Sequence, residues 1–166
     1  MRNNFFNLTD IPKIENITEE MAKDTLVDIK ENYKKLICDT IEIIYKNVET
    51  ISKSLILYNL FFLVEIWLKY YLINISYMDL NKVEEMGHAI TNLMKTVYES
   101  GLDIEELNGL LNKFRSKDGN KLDFNIYHHF RYNRRMNQTD LIFEFECIEK
   151  EREKVKEVVE WIKQYI

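Results

Sequence analysis

The stretch YHHFRYNRR, residues 127–135, gathers the side chains best suited to acid–base and phosphate chemistry. Two of the chain's three histidines, His128 and His129, stand there beside Arg131, Arg134 and Arg135, with Tyr127, Phe130 and Tyr132 interleaved. An imidazole exchanges protons near neutral pH, and an arginine can hold a phosphate and stabilise its developing charge. Interleaved aromatics can stack bases. Three readings follow. In the first, His128, His129 and Arg131 are catalytic and promote attack of an RNA 2′-hydroxyl on its neighbouring phosphate without a metal. In the second, Tyr127, Arg131, Tyr132, Arg134 and Arg135 bind RNA, a nucleotide or a protein partner. In the third, the aromatics plug the end of a helical bundle while the charges face water. All three stay open on the residues alone.

Other chemistries have no carrier in the sequence. There is no glycine-rich phosphate loop, no HExxH, no GxSxG and no cysteine–histidine nucleophile spacing, so neither a metal nor a cofactor is expected. Cys38 and Cys147 fall inside helical patterns without CxxC spacing, and read as two buried thiols in a reducing cytosol. His88 reads as an exposed or packing histidine, on a polar helix face shared with Glu84, Thr91 and Lys95. Gly87 before it costs about 1 kcal/mol in a helix interior relative to alanine, which suggests that another helix approaches closely there. Carboxylates with lysines close by along a helix, as in Glu149–Lys154, read as solvated faces.

The elements that must position these residues are helical. Residues 1–16 read as an N-terminal arm and 17–166 as one helical domain. Thr18 is a candidate N-cap, followed by Ala22, Leu26, Ile29, Tyr33, Leu36, Ile37, Ile44, Val48 and Ile51 at helical spacing. A second helix covers about 52–76. It is apolar enough to raise the question of a membrane span, but Asn59, Glu65 and Lys69 interrupt it. Glu65 and Lys69 are spaced to pair along one face, so the expectation is a central bundle helix and no membrane contact. A third helix is expected over about 80–100, with Val83, Met86, Ile90, Leu93, Met94 and Val97 inward and Gly101 as its stop. Asp103 can cap a short helix ending near Arg115. Residues 116–123 read as a loop, 124–137 as loop or broken helix, and Asn137 or Thr139 as the cap of a long final helix. Its seam runs through Leu141, Phe145, Ile148, Arg152, Val155, Val159, Ile162 and Ile166. Arg152 either snorkels to solvent or reaches a core carboxylate such as Glu65. The architecture expected is all-α, an antiparallel bundle of four long helices and one short one.

Composition agrees with a single folded domain. One proline and four glycines in 166 residues leave long helices unpunctuated, and 46% apolar with 31% charged residues describes a globular chain. A net charge of −5 argues against a polyanion binder as a whole, so any attraction to nucleic acid must be local. The N-terminus MRNNFFNLTDIPK lacks the apolar core and small-residue cleavage site of a secretory signal, and a cytoplasmic location is expected.

Three segments resemble the HEPN domain family, helical proteins of prokaryotic toxin–antitoxin and antiviral defence systems. LYNLFFLVEIWLKYYLI is similar to the family's second helix, with its aromatic start, a glutamate and a lysine. MGHAITNLMKTV resembles the Gly-His segment that opens a later helix. FRYNRR, followed after a gap by a helix ending VVEWI, resembles the final arginine–tyrosine segment. The resemblance covers about residues 55–163. It implies a helical bundle, a homodimer and a defence, counter-defence or toxin–antitoxin context. Active ribonucleases of the family carry an arginine, a polar residue and a histidine four to six intervening residues later. Here the histidines precede the arginines, so the resemblance implies a binding module ahead of a metal-independent endoribonuclease. A protein-only inhibitor, docking acidic helices on a nucleic-acid-processing partner, is a third class.

Overall fold

A computed structural model of the chain describes residues 19–48, 53–115 and 148–166. The described residues are mostly helical, with six helices and no strand. These are α1 (Glu19–Asn47), α2 (Lys53–Asn74), α3 (Leu80–Glu85), α4 (Ile90–Glu99), α5 (Glu105–Leu111) and α6 (Ile148–Lys163).

The hub is α2. It packs against α1, α3, α4 and α6, while α5 packs against α6. Its apolar residues continue round the helix instead of forming one stripe, which is the pattern of a helix covered on all sides. Leu60, Leu63, Val64, Trp67, Leu68 and Leu72 are fully buried. Each such side chain contributes about 1.5–3 kcal/mol of hydrophobic stabilisation. The helix is long and apolar enough to cross a membrane, and 83% of its apolar window, Ile56–Asn74, is buried by the rest of the chain.

The flanking helices are amphipathic. On α1 and just beyond it, Ile37, Thr40, Ile44 and Val48 are buried at spacings of three and four. The Thr40 hydroxyl donates to the Leu36 carbonyl at 2.7 Å, which satisfies it locally. Cys38 is exposed, contrary to the expectation of a buried thiol. It lies one residue, about 100° of helix rotation, past Ile37 and so leaves the buried stripe. Cys147 lies outside the described residues. On α6, Val155, Val158, Val159, Trp161 and Ile162 are buried. Trp161 meets Trp67 edge to face at 5.1 Å, and its indole N–H donates to Glu106 of α5 at 3.0 Å. Arg152 is half-buried with its Nε shielded from solvent.

The single helix expected over 80–100 is divided. Asp79 caps α3, its Oδ1 accepting from the Asn81 N–H at 3.0 Å and the Lys82 N–H at 3.3 Å. The chain then stops being helical because Gly87 takes φ +62°. A Cβ built at Gly87 would meet nothing within 4 Å. Close helix approach is therefore not its reason. Its backbone conformation is, because a left-handed φ strains any residue with a Cβ. The end of α4 follows the expected stop at Gly101, φ +97°, with the Gly101 N–H on the Tyr98 carbonyl at 3.0 Å and the Leu102 N–H on Val97 at 3.4 Å. This pair of bonds is the Schellman closure. Asp103 accepts the Glu105 N–H at 2.9 Å at the start of α5, which ends at Leu111 and passes through a turn before Arg115. Thr18, the arm 1–16, and residues 116–147 with the caps Asn137 and Thr139 lie outside the described residues.

Candidate functional site

Tyr127, His128, His129, Arg131, Tyr132, Arg134 and Arg135 all lie outside the described residues. Within the described residues, the densest polar chemistry forms around Glu65. Both Glu65 and Lys69 are on α2, one turn apart, in the middle of its apolar run. Their side chains are 4% and 8% exposed, and Lys69 Nζ lies 3.1 Å from Glu65 Oε1. This bears out the pairing read from their spacing, and the order of glutamate before lysine is the favourable one.

A second donor arrives from outside the helix. His88 Nδ1 sits 2.9 Å from Glu65 Oε1 and 3.0 Å from Oε2. Gly87 makes this possible: its positive φ ends α3 and places His88 in the turn before α4, not on a continuous helix face. The expectation of an ordinary exposed or packing histidine therefore missed its partner. The histidine side chain is 45% exposed although the carboxylate that holds it is buried. A carboxylate at Nδ1 fixes the ring orientation and favours Nδ1–H as the donor to Glu65.

Tyr33 of α1 closes the group from another side. Its hydroxyl donates to Glu84 Oε1 at 2.7 Å, bridging α1 and α3. Burial, the hydrogen bond to Glu84, and the negative charges of Glu84 and Glu65 hold the Tyr33 hydroxyl well above the usual tyrosine range. A polar bond thus joins α1 to α3 beside the group that ties the α3–α4 turn to α2. Two ions buried with no partner would cost several kcal/mol each. The lysine, the histidine and the carboxylate offset that cost for one another. Glu65 is held by Lys69 and His88.

Chemically, a carboxylate behind an imidazole is the orienting half of an acid–base pair. No group of three or more potential metal ligands occurs among the described residues. What the geometry performs directly is positioning: the α3–α4 turn is tied to the centre of α2. One signal in the sequence could have found His88. A buried glutamate has more lone pairs than one lysine satisfies, so a second donor was due, and Gly87 marked where the chain could turn back to supply it. Set against known proteins, the chain matches no family model, no curated protein and no solved structure.

Proposed function

We propose that the chain is a HEPN-like helical module that binds RNA without cleaving it. In this reading α1, α2, the divided α3–α4 and α6 form the antiparallel four-helix arrangement, with α5 as its short addition. The module works as a cytoplasmic homodimer in phage defence, counter-defence or toxin–antitoxin regulation. Tyr127, Arg131, Tyr132, Arg134 and Arg135 are its RNA contacts.

The observation that carries the proposal is a convergence. Glu65 and Lys69 come from one segment that resembles the family, and Gly87-His88 comes from another. In the fold they meet in one hydrogen-bonded node whose carboxylate is buried. Segments that resemble a family in isolation are weak signals, whereas two that interlock are a stronger one. Charge distribution supports the binding role, because a chain of net charge −5 concentrates three arginines and two histidines within nine residues. The order of histidine before arginine favours binding over cleavage.

The test is fluorescence anisotropy with a labelled single-stranded RNA across a salt series. Affinity should fall steeply with salt. In a variant with Arg134→Gln and Arg135→Gln, the slope of log affinity against log salt should shrink by about 0.7 for each arginine. Salt-independent binding, or none, contradicts the proposal. Co-purification with a protein partner and no affinity for RNA would favour the protein-only inhibitor instead.

A further inference from the structure

A cleft runs between α4 and α5, away from the Glu65 node. One part, of about 350 Å³, is lined by Thr91, Met94, Lys95, Tyr98, Ile104, Glu105 and Asn108. A second part, of about 420 Å³, shares Tyr98 and Glu105 and adds Gly101, Leu102 and Asp103. Volumes of this order suit a small organic ligand.

Each wall offers a different interaction. Met94 and Ile104, both nearly buried, make an apolar floor. Tyr98 stands between the two parts and is 56% exposed, a large aromatic surface left to water. Asn108 is already oriented: its Oδ1 accepts from Asn112 Nδ2 at 2.9 Å, so what it offers a ligand is its own Nδ2 donors. Glu105 offers a carboxylate, an acceptor only. The site therefore asks for a flat ring with a hydrogen-bond acceptor and an amino group on neighbouring edge positions. Adenine and cytosine have that edge, whereas uracil has no amino group. The carboxylates of Asp103 and Glu105 repel phosphate, so the sugar–phosphate of a bound nucleotide is directed away from them, towards the part of the rim where exposed Lys95 pairs with Glu99 at 3.7 Å.

We propose that the α4–α5 cleft takes an amino-bearing nucleobase, stacked on Tyr98, with its acceptor on Asn108 and its amino group on Glu105. The proposal rests on the RNA-binding reading and gives it a base preference that the basic stretch alone would not supply. Stacking is sequence-tolerant, so the preference arises from Asn108 and Glu105.

The probes are adenosine, followed by NMR, and labelled dodecamers of adenylate and uridylate, followed by anisotropy. Adenosine should move the resonances of Tyr98, Ile104 and Asn108, and the adenylate dodecamer should bind more tightly than the uridylate one. Tyr98→Leu should weaken adenylate binding about tenfold. Tyr98→Phe should keep it, and Asn108→Leu should abolish the preference over uridylate. Both positions lie on the surface, and circular dichroism confirms that the variants fold. Equal binding of the two dodecamers, or adenylate affinity untouched by Tyr98→Leu, overturns the proposal. Dodecamer binding that depends on Arg134 and Arg135 but ignores Tyr98 and Asn108 overturns the cleft while the general reading stands. Adenosine shifts at the cleft, with no effect of the two arginines on dodecamers, support the cleft and sink the assignment of the basic stretch.

Discussion

Two carboxylates in this molecule hold comparable partners in opposite surroundings. Glu65, at the centre of α2, accepts from Lys69 and His88 and is 4% exposed. Glu160, on α6, accepts from Lys163 at 3.2 Å and from the Tyr45 hydroxyl of α1, and is 57% exposed. Both connect a helix to a neighbouring segment through a carboxylate, a lysine and a third donor. Water accounts for the difference in what they contribute. At the surface, solvent competes for each charge and an ion pair adds little. In the core no solvent replaces a lost partner, so each member makes the others tolerable there. The buried node specifies how the α3–α4 turn sits on α2, whereas the surface group links α1 to α6 only through exposed polar side chains.

Removing one side of the buried node should have the largest effect. Lys69→Met leaves Glu65 without its cation and should destabilise the fold by about 3–5 kcal/mol, read as a lower urea midpoint. Glu65→Leu combined with Lys69→Met removes both charges and should recover much of that loss. A double variant no more stable than the single one would remove the claim that the pair is mutually compensating. His88→Ala should cost about 1–2 kcal/mol, less than the lysine change because the ring is half-exposed. Hydrogen exchange should then rise in the α3–α4 turn ahead of the core of α2. Gly87→Ala should cost about 1 kcal/mol through its positive φ alone, with no steric contribution.

The surface group should show the smallest response, and it shows as a pH dependence. Burial, the hydrogen bond to Glu160 and its negative charge push the Tyr45 hydroxyl up to about 12. The unfolded chain releases that proton near the ordinary tyrosine value of about 10. Between these two values the unfolded state holds fewer protons, so stability falls as pH rises. Tyr45→Phe should flatten part of that alkaline decline, and Tyr33, raised for similar reasons, contributes in the same direction. At the acid end, hydrogen bonds from Tyr45 and Lys163 hold the Glu160 carboxyl below its usual range. Its contribution is present above the ordinary glutamate value and disappears as pH falls through the lowered one. Glu160→Gln should change the acid limb only slightly, and a change as large as that of Lys69→Met would erase the contrast between the two sites.

The central helix was legible because an uninterrupted apolar run has few other uses, and the Glu65–Lys69 pair because its geometry is local. His88 was not legible in the same way. Its partner is 23 residues away, and contact depends on the sign of φ at Gly87, which glycine leaves free. The same ambiguity allowed α3 and α4 to be read as one helix, since apolar periodicity survives a turn that keeps the phase of Val83, Ile90 and Leu93. Cys38 was misplaced for a simpler reason: a stripe position and its neighbour differ by one residue in sequence and by about 100° in space. The α4–α5 cleft left no sequence signature, because its walls are surface residues of two helices brought together by the turn at Gly101 and Leu102.

The proposed binding without cleavage is tested most directly by one measurement. A single-stranded RNA is incubated with excess protein in EDTA under conditions where anisotropy shows it bound, and its length is then read on a denaturing gel. RNA should be recovered at full length, for the unaltered chain and for the variant with His128→Ala and His129→Ala alike. Shortened RNA from the unaltered chain, restored to full length by the two histidine substitutions, would contradict it.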